Sequence, residues 1–213
     1  MNTSVAVFDL DGTLLKGDSF VRFLLACIIR FPGRAVRCIH LPVATVVFLT
    51  GARDNAWLKG VFLRAIVGGL RRDQIAEVVE AFVEQQLAKY LKGAGLAEVR
   101  LHQKQGTTVV LASASPDLYV KEIAAQLDIE HVISTVVEWR SGICLGRLNG
   151  DNCYGESKLA AIKKRFSHIS YAYSDHDSDL PMLLDATWAV AVDPNHRLQK
   201  LSILHNLEVH RWD

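Results

Sequence analysis

Cysteine is scarce in this sequence and neither sign of charge is in excess, which excludes several classes of protein. The four cysteines include no CxxC pair and no zinc-type spacing, so they predict neither a disulfide framework nor a metal knuckle. The 24 Lys plus Arg and 23 Asp plus Glu give a net charge of +1, which argues against a general nucleic-acid binder. Repeats and low-complexity segments are absent too, and 213 residues suffice for one substantial core with a small appended domain.

The sequence pattern also lacks an export signal and a membrane span. The start MNTSVAVFDLDGT has no basic segment ahead of an apolar one and already carries Asp9, unlike a cleaved signal peptide. The longest run without Asp, Glu, Lys or Arg covers the 15 residues 38–52 and contains Pro42, whereas a membrane-spanning helix needs about 20. We therefore expect a cytoplasmic protein.

Three short apolar runs predict the strands of a parallel sheet. Residues 4–8, 107–112 and 169–174 are apolar without alternation, which is typical of strands buried on both faces. Helical patterns at 116–127 and 156–166 lie between the second and third of these runs. This order predicts a Rossmann-like, three-layer α/β fold, in which ligands bind at the carboxyl ends of the strands.

A long helical insertion follows the first strand. Helical patterns cover 18–30, 34–50, 54–67 and 71–91, whereas 135–149 has the pattern of a two-stranded hairpin. The predicted organisation is an α/β core of residues 1–15 and 96–213, with an inserted all-helical subdomain of residues 16–95.

Polar residues that could act in catalysis or binding follow the predicted strands. Asp9 and Asp11 come directly after the first strand, in a string that chance would produce at about 1 in 10⁵ positions. Ser113 closes the second strand, Lys158 opens a helix, and residues 174–179 follow the third strand. Each residue alone has an ordinary interpretation as a cap, a turn or a solvated side chain. Their order, each at a strand end or a nearby helix start, favours a shared site.

These motifs resemble those of the haloacid dehalogenase superfamily. The resemblance is to subfamily IB, the branch of phosphoserine phosphatase and the phosphatidylglycerophosphatase C-like phosphatases. It covers nearly the whole chain through DLDGTL at 9–14, Ser113 in SASP, Lys158 in GESK and YSDHDSDLP at 173–181. It implies a phosphoric monoester hydrolase with an α/β core and a helical cap that selects the substrate.

The resemblance also implies roles for the carboxylates. Asp9 would attack phosphorus and form an aspartyl-phosphate, and Asp11 would act as general acid and then general base. Mg²⁺ would be held by Asp9, the Asp11 carbonyl and Asp175. A second carboxylate at Asp11 argues for phosphoryl chemistry, since haloalkanoate dehalogenases of the superfamily lack it.

The remaining implied roles concern the phosphoryl group. Ser113 and Lys158 would bind its oxygens, helped by backbone amides near Asp11 and Ala114. Asp179 would orient Lys158 or a metal-bound water.

Several positions depart from the family pattern or have no role in it. Ser174 and Ser115 stand where many relatives have glycine. The serine at position 115 affects the pocket for small substrates. His176 and Asp177 are interpreted as loop residues.

Acidic residues are missing from one part of the predicted cap. Residues 19–53 contain no Asp, Glu or Lys but five arginines, so they carry +5 and the remainder carries 19 basic against 23 acidic residues, or −4. A basic, apolar hairpin is typical of an interfacial membrane contact, with arginines at anionic headgroups and phenylalanines deeper. These phenylalanines are Phe20, Phe23, Phe31 and Phe48. The alternative is an ordinary helical cap whose arginines are solvated.

The cap leaves the substrate open between two classes. Its resemblance to phosphatidylglycerophosphatase C-like proteins favours a phospholipid headgroup phosphate, such as phosphatidylglycerophosphate, at the inner face of the cell membrane. Asp18 lies where phosphoserine phosphatases bind the substrate amine, which favours a soluble amino-acid phosphate. A catalytically silent membrane adaptor, or transfer to an acceptor other than water, are further alternatives. The complete motif set argues against silence.

Overall fold

A parallel sheet forms the centre of the structure, a computed structural model that describes residues 4–212. The strands in chain order are β1 (Val5–Phe8), β2 (Thr108–Pro116), β3 (His131–Thr135), β4 (Val137–Arg140), β5 (Ile143–Leu148), β6 (Ile169–Ser174), β7 (Ala186–Val192) and β8 (Glu208–His210). Six of them pair in parallel in the order β3-β2-β1-β6-β7-β8, and β4 and β5 form an antiparallel hairpin. The predicted Rossmann-like α/β class and the predicted hairpin are confirmed.

Helices cover the sheet and make up the insertion after β1. They are α1 (Ser19–Arg30), α2 (Leu41–Leu49), α3 (Asn55–Ile66), α4 (Arg72–Tyr90), α5 (Gly93–Lys104), α6 (Asp117–Gln126), α7 (Glu156–Lys163), α8 (Leu180–Asp185) and α9 (His196–His205), with 3₁₀ helices at Pro32–His40 and Asp177–Asp179. We call helices α1 to α4 the cap. No helix among residues 4–212 is long and apolar enough to cross a membrane.

Some predicted helix boundaries differ from the structure, and the helix predicted at 156–166 ends at Lys163. The helix predicted at 34–50 is divided into the 3₁₀ helix Pro32–His40 and α2. Pro42 has no N–H to donate to the Cys38 carbonyl, which instead accepts from Leu41 in the tighter 3₁₀ pattern. Pro116, predicted as a first helical residue, is extended and lies just before α6.

Strand β1 is buried on both faces, as its continuous apolar run predicted. Val7 packs with Ala112 on one side of the sheet, and Phe8 stacks on Tyr173 on the other, with ring centroids 4.4 Å apart. Since β1 lies between β2 and β6, the residues that follow these three strands meet at one edge.

The two chain segments that connect the cap to the core lie side by side. The N–H of Lys16 donates to the Tyr90 carbonyl at 2.8 Å, and the N–H of Lys92 donates to the Leu14 carbonyl at 2.9 Å. The predicted domain boundary at residue 95 falls inside α5, where Gly95 lies against Leu14 of the core. We therefore propose that the core resumes at about residue 92.

Candidate active site

A pocket of about 500 Å³ opens between the cap and the carboxyl edge of the sheet. Loops after β1 and β6, the end of β2, the start of α7, and cap helices α1 and α3 enclose it. It brings together all the residues predicted for the site: Asp9, Asp11, Asp18, Ser113, Ala114, Lys158, Asp175 and Asp179.

A buried ammonium bridges two carboxylates at the floor of this pocket. Lys158 Nζ donates to Asp9 Oδ1 and to Asp179 Oδ2, each at 2.7 Å. Although burial opposes it, the charges of Asp179 and Asp9 hold the pKa of Lys158 above its ordinary value. Ser174 Oγ donates to Asp179 at 2.7 Å, which fixes the carboxylate that orients the lysine.

Asp11 is held by neutral donors instead of a cation. The N–H of Ser19 donates to its Oδ1 and the hydroxyl of Ser115 donates to its Oδ2, both at 2.6 Å. Burial raises the pKa of Asp11, against the lowering effect of these hydrogen bonds. Burial also raises the pKa of Asp9, although the charge of Lys158 opposes the rise. The sequence did not predict either serine contact, although Ser115 belongs to the same SASP motif as Ser113.

Asp175 approaches the backbone of the first loop. Its N–H donates to Thr13 Oγ1 at 3.0 Å, and Thr13 Oγ1 donates to its Oδ1 at 3.1 Å. Gly12 has φ +81°, and a Cβ at Gly12 would overlap Asp175 Oδ2. Only glycine therefore lets Asp175 come this close to the loop. Burial raises the pKa of Asp175 to about 6.

The donor set at the pocket floor fits a hard divalent cation. The carboxylates of Asp9 and Asp179 share the ammonium of Lys158, Asp175 lines the same pocket, and Asp179 Oδ1 is buried without a hydrogen-bond partner in the described chain. Carboxylate and carbonyl oxygens with waters are the ligands that Mg²⁺ prefers. No group of three His, Cys, Asp or Glu within residues 4–212 forms a complete metal cage. The implied set has only two carboxylates and one main-chain carbonyl.

Lys59, which the sequence did not single out, reaches into the pocket from α3. Its side chain is 7% exposed, and Nζ donates to the Ala114 carbonyl and to Asn152 Oδ1. Burial lowers the pKa of Lys59 to about 8. The signal in the sequence is weak: Lys59 is the lone charge among residues 55–63. A solvated lysine would give the same pattern.

The upper wall of the pocket is apolar. Cap side chains form it, and they are Phe20, Val21, Leu24, Leu58 and Phe62. Asp18 lines the pocket at their edge, and its Oδ1 accepts from the N–H groups of Phe20 and Val21 at 2.7 and 3.2 Å. It therefore caps the N-terminus of α1.

The two residues interpreted as loop residues lie in the loop after β6. His176 Nδ1 accepts from the Ser178 N–H at 3.1 Å, and His176 lines the pocket. Asp177 accepts from Asn195 Nδ2 at 2.7 Å. Both side chains are bound to their own loop or to the next one.

The fold and the site together define a parallel α/β enzyme domain with carboxylates and a lysine at the strand ends, beneath a helical cap. Residues 6–184 match the sequence profile of the haloacid dehalogenase-like hydrolases. The chain belongs to this family, as its motifs predicted.

Individual relatives span most of the chain. It is 29% identical over 198 residues to protein CicA of Caulobacter vibrioides, covering 91% of this chain and 86% of that protein. It is 28% identical over 209 residues to phosphoserine phosphatase SerB1 of Mycobacterium tuberculosis, covering 94% and 68%.

Solved structures share the fold. A protein of unknown function from Bordetella pertussis superimposes with a TM-score of 0.85 at 23% identity, covering 99% of both chains. A substrate-bound phosphoserine phosphatase superimposes with a TM-score of 0.65 at 14% identity, covering 100% of this chain and 94% of that one.

Proposed function

We propose that this protein is a Mg²⁺-dependent phosphomonoesterase that works through an aspartyl-phosphate on Asp9. One observation carries the proposal: of the two carboxylates in the first loop, Asp9 contacts a positively charged group, whereas Asp11 accepts hydrogen bonds from neutral donors. Asp9 contacts the ammonium of Lys158, which favours an anionic nucleophile. Among residues 4–212, the hydrogen-bond donors to the Asp11 carboxylate are neutral, which suits a group that gives and takes a proton. Family membership and the similarity to a phosphoserine phosphatase support the same chemistry.

The proposed reaction has two displacements at phosphorus. An oxygen of Asp9 attacks phosphorus and the bond to the ester oxygen breaks, while Asp11 gives its proton to the departing alcohol. Water then attacks the same phosphorus and loses a proton to Asp11, and the bond to Asp9 breaks. Inorganic phosphate leaves, and both carboxylates return to their starting states.

The phosphoryl oxygens need positive partners in both steps. Lys158 lies 2.7 Å from the proposed nucleophile and supplies one positive charge. Ser113 Oγ accepts from the Ser115 N–H at 3.0 Å, which leaves its own proton free for a phosphoryl oxygen. The N–H of Ala114 is the further proposed donor. Asp179 would keep Lys158 in place.

Mg²⁺ would be held by Asp9, the Asp11 carbonyl and Asp175, where it would offset the negative charge of the substrate and carboxylates. Gly12 and Thr13 keep Asp175 close to the first loop and so keep these oxygens together.

Phosphate release from p-nitrophenyl phosphate tests this proposal. We expect release to depend on Mg²⁺ and to be abolished in Asp9→Asn, while Asp185→Asn, outside the pocket, stays active. Acid quench with ³²P-labelled substrate should trap label on the protein as an acyl phosphate that hydroxylamine releases. Activity that survives in Asp9→Asn, or label on a different residue, would refute the assigned nucleophile.

The apolar wall of the pocket supports a lipid phosphate as substrate. Phe20, Leu24 and Phe62 lie above the carboxylates, where a glycerolipid places its apolar arm when its phosphate is at the floor. Such a substrate fits an enzyme on the cytoplasmic side of a membrane. Phosphatidylglycerophosphate is the specific lipid that the resemblance of the cap to phosphatidylglycerophosphatase C-like proteins favours.

A soluble amino-acid phosphate is the second candidate. Asp18 and Lys59 place an anion and a cation on the same pocket wall, which suits the amine and carboxylate of phosphoserine. A panel of O-phosphoserine in detergent-free buffer and lipid phosphates in micelles separates the two. Turnover of phosphoserine without turnover of lipid phosphates would refute the lipid substrate. A silent adaptor would turn over neither.

A further inference from the structure

The cap carries a stripe of large apolar side chains that nothing in the described chain covers. The backbone stays helical from the 3₁₀ helix Pro32–His40 into α2, because both joining residues have helical dihedral angles. Five side chains on this stretch are between 59% and 78% exposed, and they are Val36, Ile39, Val43, Val46 and Leu49. We call this surface the 36–49 stripe. Their spacing of three or four residues places them on one side of the helix.

Unpaired positive charge lies beside the 36–49 stripe. The guanidinium groups of Arg34 and Arg37 both donate to the Gly68 carbonyl. Arg37, His40 and Arg64 line a cavity of about 520 Å³ next to Leu41. Within residues 4–212 no carboxylate lies at ion-pair distance from Arg34, Arg37 or Arg64, whereas Arg30 pairs with Glu77 at 2.7 Å.

A second apolar row links this region to the active-site pocket. Val21, Leu25 and Ile29 lie four residues apart on α1 and are 52–80% exposed. Val21 also lines the pocket mouth, and the chain continues from Ile29 into the 3₁₀ helix within three residues. Exposed apolar surface therefore extends along α1, over about 12 Å, from the pocket towards the stripe.

The phenylalanines expected to insert into lipid are not the exposed residues. Phe23 is fully buried against Phe82 and Tyr119, and Phe20 lines the pocket. Phe31 and Phe48 are partly buried. The exposed apolar surface of this segment is aliphatic. The proposed membrane contact therefore stays within residues 19–53 but uses aliphatic side chains in place of the phenylalanines.

We propose that the 36–49 stripe docks this protein on an anionic phospholipid membrane, with the aliphatic side chains at the headgroup boundary and Arg34, Arg37 and Arg64 beside lipid phosphates. Helix α2 has nine residues, or about 14 Å, so it lies in the interface and does not span. A second copy of the chain fits worse. A two-fold contact would place this arginine cluster against itself without acidic partners. Docking requires no turnover, so it stands apart from the proposed catalytic function.

Flotation of the full chain with vesicles tests the proposal. We expect binding to vesicles of phosphatidylglycerol and phosphatidylcholine in equal parts, weak binding to pure phosphatidylcholine, and release by salt. Ile39→Asp should lower the partition coefficient about tenfold, and Arg37→Gln about fivefold. Ile203→Asp on α9 is the matched control, since Ile203 is 81% exposed but lies outside the cap. It should leave binding unchanged.

Two further measurements keep the outcomes distinct. The urea-unfolding midpoint of Ile39→Asp should match that of the wild type, which reports that the variant folds whether or not it has phosphatase activity. If it does not fold, Val43→Asp takes its place. Absence of vesicle binding in the wild type, or equal losses in Ile39→Asp and Ile203→Asp, would overturn the proposal. Analytical ultracentrifugation that shows a dimer broken by Ile39→Asp, without vesicle binding, would assign the stripe to self-association.

Discussion

The hydroxyl of Ser115 donates a hydrogen bond of 2.6 Å to Oδ2 of Asp11. The two residues are 104 positions apart in the sequence, and their contact joins the end of β2 to the loop after β1. Together with the Ser19 N–H, it fixes the direction of the carboxyl that is proposed to protonate the leaving group. Ser115 is therefore a positioning residue.

Ser115→Ala should slow substrates that need a protonated leaving group. Loss of the hydrogen bond lets the Asp11 carboxyl rotate, and we expect kcat for an alkyl phosphate to fall about tenfold with little change in KM. p-Nitrophenyl phosphate should be affected less, because its leaving group departs as an anion. Ser167→Ala, an exposed control, should match the wild type. Equal losses for both substrates would contradict this role.

Lys158→Met should destabilise the fold as well as abolish activity. The substitution leaves Asp9 and Asp179 buried without their common cation, and breaking a buried ion pair in this way costs about 3–5 kcal/mol. Lys163→Met on the same helix removes a partly exposed pair with Asp185 and should cost about 0–1 kcal/mol. Urea unfolding measures both, and similar midpoints would show that Lys158 does not stabilise the two buried carboxylates.

Gly12→Ala should reduce the apparent affinity for Mg²⁺. The new Cβ would overlap Asp175 Oδ2 and push this carboxylate away from the first loop. Gly150→Ala is the control, because Gly150 also has a positive φ but no atom lies within 4 Å of its added Cβ. We expect the control to lose some stability and keep its activity. Titration of phosphate release with Mg²⁺ checks this, and an unchanged Mg²⁺ dependence in Gly12→Ala would count against the proposed metal ligands.

The activity should fall above pH 8 as Lys59 loses its proton. Burial lowers the pKa of Lys59 to about 8, so its ammonium is charged below this pH and neutral above it. The titratable groups that face it are Asp11, Asp18, Cys153 and Lys158. For an anionic substrate we expect kcat/KM to decrease about tenfold per pH unit above 8.

Lys59→Arg isolates this effect. Arginine stays charged throughout the range, so the alkaline decrease should move upward in pH. A decrease at the same pH in Lys59→Arg would assign the titration to a different group. Lys16→Arg, at an exposed lysine outside the pocket lining, should keep the wild-type profile.

The sequence was sufficient for the strands and residues that short-range patterns define. Continuous apolar runs predicted β1, β2 and β6, and the residues at their ends meet because parallel strands end at the same edge. The motif around Asp9 and Asp11 has a fixed spacing on one chain segment, so their proximity required no tertiary information.

Local sequence patterns could not predict the contacts between the cap and the core. Lys59 contacts Ala114 across 55 residues, and Ser19 contacts Tyr119 across 100. Nothing in the periodicity of either segment specifies the other, so a buried lysine and a solvated one look alike. The 3₁₀ geometry before Pro42 depends on a missing N–H, which hydrophobic periodicity does not register.

The paired hydrogen bonds of Lys16 with Tyr90 and of Lys92 with Leu14 hold the two ends of the cap next to each other. The chain therefore enters and leaves the helical insertion through two adjacent segments. Because Asp9 and Asp175 both lie on the core side of these two segments, a change in the length of the insertion does not by itself require a change in the distance between them. A change of substrate preference through the insertion therefore requires no change in the chain segments that carry Asp9 and Asp175.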